Sequence, residues 1–426
     1  MAQFKFIHAA DLHIESPYKG VGNLNEALGH SLVEHGIKAY ESLIQTTLDQ
    51  AVDFLLIAGD SFDSDSGSLS AQYRFVRGLE RLASNNIPVF IICGNHDPLN
   101  SWSKHLELPS NVTLFNADEV QQHTVEKEGK AIAEIYGISF GEKEEFDNLA
   151  KDFNRNDTAS FSIGLLHGTI AGNESHTPYC PFDLDTLRRS NMNYWALGHI
   201  HKREVVLEEN PMVVYPGNIQ GRHFKETGVK GCSLVSVENS KIIDHELLPL
   251  SDVIYEYHTL DVSGMESLSE FTSALEELKT ETLSSDYSYL LRIRLTGKTN
   301  LHSDFSHHEE FKLLIDELNK GNNYQQRFVF IDKCINESFP EIDIEARKKS
   351  SDFIADLIQR FDTYGENQEA LEKLQDELLK ELSGTKVGRA LKTADFEKDL
   401  KGEAKTLLSA AKWKCIDGLL QNSNQS

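Results

Sequence analysis

Thiols are scarce in this chain. Its five cysteines (Cys93, Cys180, Cys232, Cys334 and Cys415) are scattered, odd in number and never spaced as a CxxC pair. That excludes a disulfide framework and a thiolate zinc site, and it fits a reducing cytoplasm. Long apolar runs are also missing: no stretch reaches the roughly 18 residues that a membrane span needs. The N-terminus (Met1-Ala2-Gln3-Phe4-Lys5-Phe6-Ile7-His8) has no h-region of a signal peptide, so a cytoplasmic chain with no membrane contact is expected. Positive charge is the third deficit. Across 426 residues there are 42 Lys+Arg against 67 Asp+Glu, a net charge of -25. Residues 1–260 hold 20 basic and 36 acidic residues, giving -16, and residues 261–426 hold 22 and 31, giving -9. Neither segment is basic, which excludes strong unaided duplex binding by phosphate neutralisation.

What the chain does have is five short blocks in order, each at the end of an apolar run. They are Asp11-Leu12-His13, Gly59-Asp60, Gly94-Asn95-His96-Asp97, Leu166-His167-Gly168 and Gly198-His199-Ile200-His201. Each alone has a bland reading: a loop cap, a Gly-Asp or Gly-Asn turn, a hydrogen-bonded core histidine, a polar strand end. A turn does not account for His96 and Asp97, and the five together make coincidence a poor explanation. Asp11, His13, Asp60, Asn95, His167, His199 and His201 suffice to hold two divalent cations around one shared carboxylate, a site that hydrolyses phosphate esters. A set of Asp, Asn and His without Cys suits Mn2+, with Fe2+ or Mg2+ as alternatives.

The surrounding pattern predicts an α/β (α+β) fold. Residues 4–9, 54–58 and 87–93 read as strands, and residues 24–50 and 68–84 as helices between them, so right-handed parallel crossovers are expected. Further strands are read at 131–138, 161–166, 194–197, 212–215 and 232–237, and a surface helix or loop at 142–159. These give a two-sheet sandwich flanked by helices over residues 1–250, with each candidate ligand just past a strand's C-terminal end, the edge where open α/β sheets bind ligands. Residues 251–345 read as a small α/β capping domain: strands near 254–260, 289–295 and 327–331, helices at 264–282 and 308–319. Residues 346–426 read as a helical C-terminal segment, with helices at 352–361 and 368–382, a break at Gly384, further helix to Leu420 and a polar tail.

In His8-Ala9-Ala10-Asp11-Leu12-His13, Leu56-Ile57-Ala58-Gly59-Asp60-Ser61-Phe62-Asp63, Gly94-Asn95-His96-Asp97 and Trp195-Ala196-Leu197-Gly198-His199-Ile200-His201 the chain resembles the calcineurin-like metallophosphoesterases. Within them it is most similar to SbcD-type DNA repair exonucleases and their YhaO branch, which Tyr215-Pro216-Gly217-Asn218-Ile219-Gln220-Gly221-Arg222 also matches. The resemblance covers residues 1–250 in motif detail and the rest by domain order. It implies that Asp11, His13, Asp60 and His201 hold one cation, and that Asp60, Asn95, His167 and His199 hold the other. It implies that His96 is catalytic at the scissile phosphate, with Asp97 fixing its ring. Some relatives have histidine where this chain has Asp63, so the group that orients the substrate differs here.

Two readings lie outside the blocks. Arg222 and His223 follow a Pro-Gly-Asn turn downstream of the histidine pair and are candidates for substrate phosphate; Lys202 and Arg203 read better as solvated charges. His8 and His176 are intermediate cases, and most of the remaining histidines read as surface residues. The helical stripes Ile354/Leu357/Ile358/Phe361 and Leu371/Leu374/Leu378/Leu379/Leu382 read first as a hairpin core. The resemblance implies instead a dock for an SMC-like coiled-coil ATPase, which would supply the basic DNA surface the chain lacks. The expected activity is two-metal hydrolysis of the DNA backbone, with DNA and that ATPase as partners and a homodimer as a further expectation. The rivals are a phosphatase or small-nucleotide phosphodiesterase of the same superfamily, and a weakly catalytic scaffold.

Overall fold

The runs Phe54–Ala58 and Val89–Ile92 are buried along their whole length. Such strands must have both faces covered, as in the middle layer of an α/β protein. The computed structural model describes residues 3–18, 25–63, 68–102, 107–155, 160–172, 177–383, 404–409, 411–416 and 418–419. Its first half follows the chain order β1 (Gln3–Ala9), α1 (Glu26–Asp49), β2 (Phe54–Ala58), α2 (Leu69–Ala83), β3 (Val89–Ile92), β4 (Val112–Leu114), β5 (Gln121–Lys127) and β6 (Lys130–Gly137). It continues through β7 (Ser162–His167), α3 (Leu184–Arg189), β8 (Tyr194–Gly198), β9 (Glu204–Leu207), β10 (Met212–Tyr215), β11 (Gly231–Glu238) and β12 (Lys241–Pro249). Two six-stranded sheets result, ordered β12-β11-β1-β2-β3-β4 and β5-β6-β7-β8-β10-β9. β1 to β4 run parallel, as do β6, β7, β8 and β10. The expected sandwich flanked by helices is therefore the observed fold.

Side-chain alternation sorts each strand between two cores. Phe54, Leu56 and Ala58 join Phe6, Phe90, Ile163, Leu165, Tyr194 and Ala196 between the sheets. Leu55 and Ile57 face the opposite way, into a core with Leu43 and Ile44 of α1 and Phe75, Leu79 and Leu82 of α2. The helices open on side-chain caps: Asn25 accepts from Leu28 N and Ser68 from Ala71 N, each cap being worth roughly 1 kcal/mol. The buried His8 links the sheets. Its Nε2–H donates to Leu197 O at 3.2 Å, and its Nδ1 accepts from the Tyr194 hydroxyl at 3.0 Å. Of the segment 142–159, residues 142–155 are described and are mostly loop, with one short 3-10 turn at Leu149–Asp152 that buries Ala150 and leads into buried Phe153.

Beyond residue 250 the elements are β13 (Val253–Asp261), α4 (Leu268–Leu283), β14 (Ser288–Thr296), β15 (Lys298–Thr299), α5 (His308–Leu318), β16 (Val329–Asn336) and β17 (Phe339–Pro340). The helices α6 (Ile344–Lys348), α7 (Phe353–Glu366) and α8 (Gln368–Ser383) follow. By contacts the chain divides into two units. One comprises Met1–Tyr257, Lys279–Leu291 and Gly321–Asp332, the other His258–Leu278, Arg292–Lys320 and Lys333–Ser426. In the second, Ala355, Ile358 and Leu371 are buried, while Phe353, Tyr364 and Leu378 stay exposed. Helix reappears at 404–409, 411–416 and 418–419; the expected break at Gly384 and the tail lie outside the described residues, as does His176.

Candidate metal centre

Three strands of one sheet and two of the other deliver the seven candidate ligands. Asp11 and His13 follow β1, Asp60 follows β2, Asn95 follows β3, His167 closes β7, and His199 and His201 follow β8. Backbone bonds draw the loops together: Asp11 N to Gly59 O at 3.1 Å, His13 N to Asp60 O at 3.0 Å, Gly168 N to Gly198 O at 3.2 Å. Four of the candidates sit at positive φ: Asp11 at 52°, His13 at 43°, Asp60 at 53° and His199 at 96°. That backbone is costly for a residue with a Cβ and persists only where the surroundings impose it, as functional sites do. Glycine makes room for His167. A Cβ on Gly198 would lie 1.8 Å from Ala58 O and 2.7 Å from His167 Nδ1, and one on Gly94 would lie 2.3 Å from Asp60 Oδ1.

Each histidine spends one ring nitrogen on the protein and turns the other inward. His13 Nδ1–H donates to Asp63 Oδ1 at 3.0 Å, and His201 Nδ1–H to Glu226 Oε1 at 2.6 Å. Their Nε2 atoms then face each other across 3.1 Å. His167 Nδ1–H donates to Ala58 O at 2.9 Å, leaving Nε2 3.1 Å from Asn95 Oδ1 and 3.4 Å from Asp60 Oδ2. His199 Nε2–H donates to Thr177 O at 3.3 Å and aims Nδ1 at the same Asn95 oxygen, 3.1 Å away. Asp60 Oδ2 lies 3.9 Å from His13 Nε2, and Asp11 Oδ1 lies 3.8 Å from His201 Nε2. Imidazole nitrogens, two carboxylates and an amide oxygen converge on this pocket, the ligand types that hold divalent cations. The donor set, oxygen and imidazole without thiolate, fits divalent ions of the manganese or iron type. Asp60 Oδ2 thus lies within 3.9 Å of His13 Nε2 and 3.4 Å of His167 Nε2, and Asp11 belongs both to a cluster with His13 and His201 and to one with Asp60 and His167.

Charge and burial work against each other here. Burial, outweighing the help of His201 and His167, raises Asp11 to about 6. Burial also acts to raise Asp60, but His167 and His13 bring it well below the ordinary carboxylate range. Burial tends to lower His167, yet Asp60 and Asp11 carry it up to about 9. Burial drives His13 down to about 4 and, reinforced by His167, His199 down to about 3, so both imidazoles are neutral at pH 7, the form that binds metals. Glu226, although burial opposes it, is drawn down to about 2 by its bond to His201.

The His96 ring, 40 % exposed, meets Asp63 and not Asp97: Nδ1 lies 2.7 Å from Asp63 Oδ1. The expected pairing with Asp97 is thus corrected. Asp97 is buried and accepts the backbone N–H groups of Gly94 at 2.8 Å, Asp60 at 3.0 Å and Ser61 at 2.8 Å. It staples the β2 and β3 loops, and its backbone position next to His96 is what suggested the pairing. Arg222 reaches Asp63 Oδ2 at 3.0 Å and is 19 % exposed, whereas His223 is half exposed on the outer side of Glu226, 3.3 Å from Oε1. Asp63 also accepts from the Ser16 hydroxyl. Sequence reasoning passed over Asp63 as a partner of two histidines and missed Glu226. Asp63 had a weak signal, its place three residues after Asp60; Glu226 had none.

The calcineurin-like phosphoesterase family model matches residues 4–203. The chain is 40 % identical over 297 residues to an uncharacterized metallophosphoesterase, YhaO, of Bacillus subtilis, covering 70 % of this chain and 72 % of that protein. It is 23 % identical over 289 residues to the DNA double-strand break repair protein Mre11 of Methanocaldococcus jannaschii, covering 65 % and 74 %. It is 21 % identical over 264 residues to a component of the nuclease SbcCD of Bacillus subtilis, covering 53 % and 63 %.

Proposed function

Because the chain belongs to the calcineurin-like metallophosphoesterases, enzymes built on a dinuclear metal site, we propose that it is a two-metal phosphodiesterase that cuts the DNA backbone. In this reading it is the nuclease subunit of an ATPase-linked repair complex. The observation that carries the reading is the position of one carboxylate oxygen, Asp60 Oδ2, between the His13/His201 pair and the His167/Asn95/His199 group. Asp11, His13, Asp60 and His201 would hold one cation, and Asp60, Asn95, His167 and His199 the other. When bound, the cations supply positive charge that polarises a phosphoryl oxygen and acidifies a water.

The chain's own groups do the rest. Asp63 holds the His96 ring and, against the effect of burial, raises its proton affinity above the ordinary histidine value. His96 can therefore reach the scissile phosphate as a proton donor and stabilise the charge that develops there. Arg222, tied to the same Asp63, is a second cation for that phosphate. One relative is named a DNA double-strand break repair protein and another a subunit of a nuclease, and those names support DNA as substrate. Ser64 and Asp97 stand where protein phosphatases of the superfamily have Arg and Glu, which supports a diesterase. A net charge of -25 leaves the duplex to be held by a partner. The exposed Phe353 and Tyr364 of α7 and Leu378 of α8 offer apolar surface for one.

The test is hydrolysis of labelled DNA, bis-nitrophenyl phosphate and mono-nitrophenyl phosphate with and without Mn2+. Manganese-dependent cleavage of DNA and the diester is expected. His96→Ala should lower it by roughly 100-fold or more with both metals still bound. Hydrolysis of the monoester alone would make the protein a phosphatase instead. Deleting residues 347–426 should abolish binding to the ATPase; unchanged binding would remove that partner surface.

A further inference from the structure

The segment from Asn218 to Lys230 lies outside the five ligand blocks, yet it grips His201 from three directions. Glu226 Oε1 accepts the ring Nδ1–H at 2.6 Å. The His201 carbonyl accepts from Lys230 Nζ at 3.1 Å and from Asn218 N at 3.3 Å. Glu226 is itself built in. It is buried, and its second oxygen accepts from Asn218 Nδ2 at 2.9 Å and from Arg222 N at 2.8 Å. His223 Nε2 lies 3.3 Å from Oε1. The segment also reaches the facing histidine, since Arg222 binds Asp63 and Asp63 binds His13. Its own footing is β13: Gln220 Nε2 donates to Val253 O at 2.9 Å, Gly228 N to Tyr255 O at 3.1 Å, and Phe224 packs edge-on against Tyr255.

We propose that Glu226 is a positioning residue for the first cation: by accepting the hydrogen bond of the His201 Nδ1–H it fixes the tautomer that turns Nε2, as the ligating atom, toward His13 Nε2. The proposal rests on the two-metal reading above. A carboxylate behind a ligating imidazole fixes its orientation and raises its basicity, and such partners are worth roughly 10- to 100-fold in metal affinity. Here the carboxylate is set by three other groups, Asn218 Nδ2, Arg222 N and His223 Nε2, so it holds the ring at one angle. Glutamine at this position has the same shape but one acceptor fewer. Whichever way its amide turns, its N–H groups confront donors: Asn218 Nδ2 and Arg222 N on one side, or His201 Nδ1 on the other. In the second orientation the imidazole proton moves to Nε2 and the ligand is lost.

The experiment uses the full chain, titrated with Mn2+ and followed by calorimetry and by metal analysis after gel filtration. Wild type is expected to bind two ions. E226Q should keep its thermal unfolding midpoint within a few degrees, bind one ion as wild type does and bind the other at least about 10-fold more weakly. Glu226→Ala should weaken that ion further, and Asn95→Ala should weaken the other ion and not this one. Two ions bound to E226Q with wild-type affinity would overturn the role of Glu226. A wild-type chain that binds no divalent ion would instead overturn the two-metal reading. If Glu226→Ala fails to fold, E226Q decides, because it preserves volume.

Discussion

Asp97→Asn separates two accounts of one residue. If Asp97 orients His96, its loss should alter the pH profile of activity and leave stability alone. The structure gives it a different load: Oδ1 accepts from Gly94 N and Asp60 N, and Oδ2 from Ser61 N, all buried. Burial, and then the nearby Asp60 charge, push its carboxyl up to about 7. Yet both oxygens face N–H donors, so a proton on either would meet another donor, and the geometry requires the carboxylate. Asparagine can keep one oxygen on Gly94 and Asp60, but its amide then opposes Ser61 N–H. One charge-assisted bond is lost and a buried donor is stranded, together about 3 kcal/mol. Asp97→Ala strands all three donors and should cost about 5 kcal/mol, much of a domain's stability. In a unit of this size, 3 kcal/mol corresponds to a midpoint lower by roughly 6–12 °C. Urea and thermal unfolding followed by tryptophan fluorescence (Trp102 and Trp195 lie in the first unit) read the change directly. Wild-type stability of Asp97→Asn, with a shifted pH profile, would refute the staple and restore the pairing.

Three further outcomes are expected. Gly198→Ala puts a methyl into the Ala58 carbonyl and the His167 ring; overpacking of this kind costs about 1–3 kcal/mol, and metal analysis should find the cation on the His167 side weakened. Chelation should lower the melting temperature of the purified protein and added Mn2+ should restore it, by about 2.7 kcal/mol at a hundredfold excess over the dissociation constant; a melting curve indifferent to chelator would argue against bound metal. For His8, burial lowers the pKa from 6.5 to about 3. The folded state therefore binds fewer protons than the unfolded chain, and this contribution to stability is complete above about pH 7.5 and erodes as pH falls from 6.5 toward 3. The loss reaches about 2 kcal/mol at pH 5. Denaturation at a series of pH values should show His8→Gln with a slope shallower by about one proton between pH 6 and 4; an unchanged slope would show that His8 does not titrate in this window.

The sandwich was legible because its strands carry the period the fold uses. Phe54-Leu55-Leu56-Ile57-Ala58 is apolar at every position, and only a strand covered on both faces wants that. The candidate site was legible for a related reason: each of its residues lies within a few positions of such a run, and glycines mark the tight approach, as Gly59, Gly94 and Gly198 do around His167. What sequence could not carry is the choice of partner behind each ligand. Asp97 adjoins His96 in the chain, but its carboxylate is drawn to the open N–H groups of two loops, and those N–H groups exist only once the backbone at Asp60 has turned to positive φ. Asp63 replaces it because the turn after β2 carries that carboxylate between His13 and His96, within 3.0 Å and 2.7 Å. Glu226 shows the limit most clearly. Twenty-five positions separate it from His201, it lies in a polar segment of no evident period, and only the return of that segment over β13 brings it behind the ring. Local spacing thus finds the atoms that would touch metal. The groups that aim those atoms are fixed by long-range packing and have to be read from the fold.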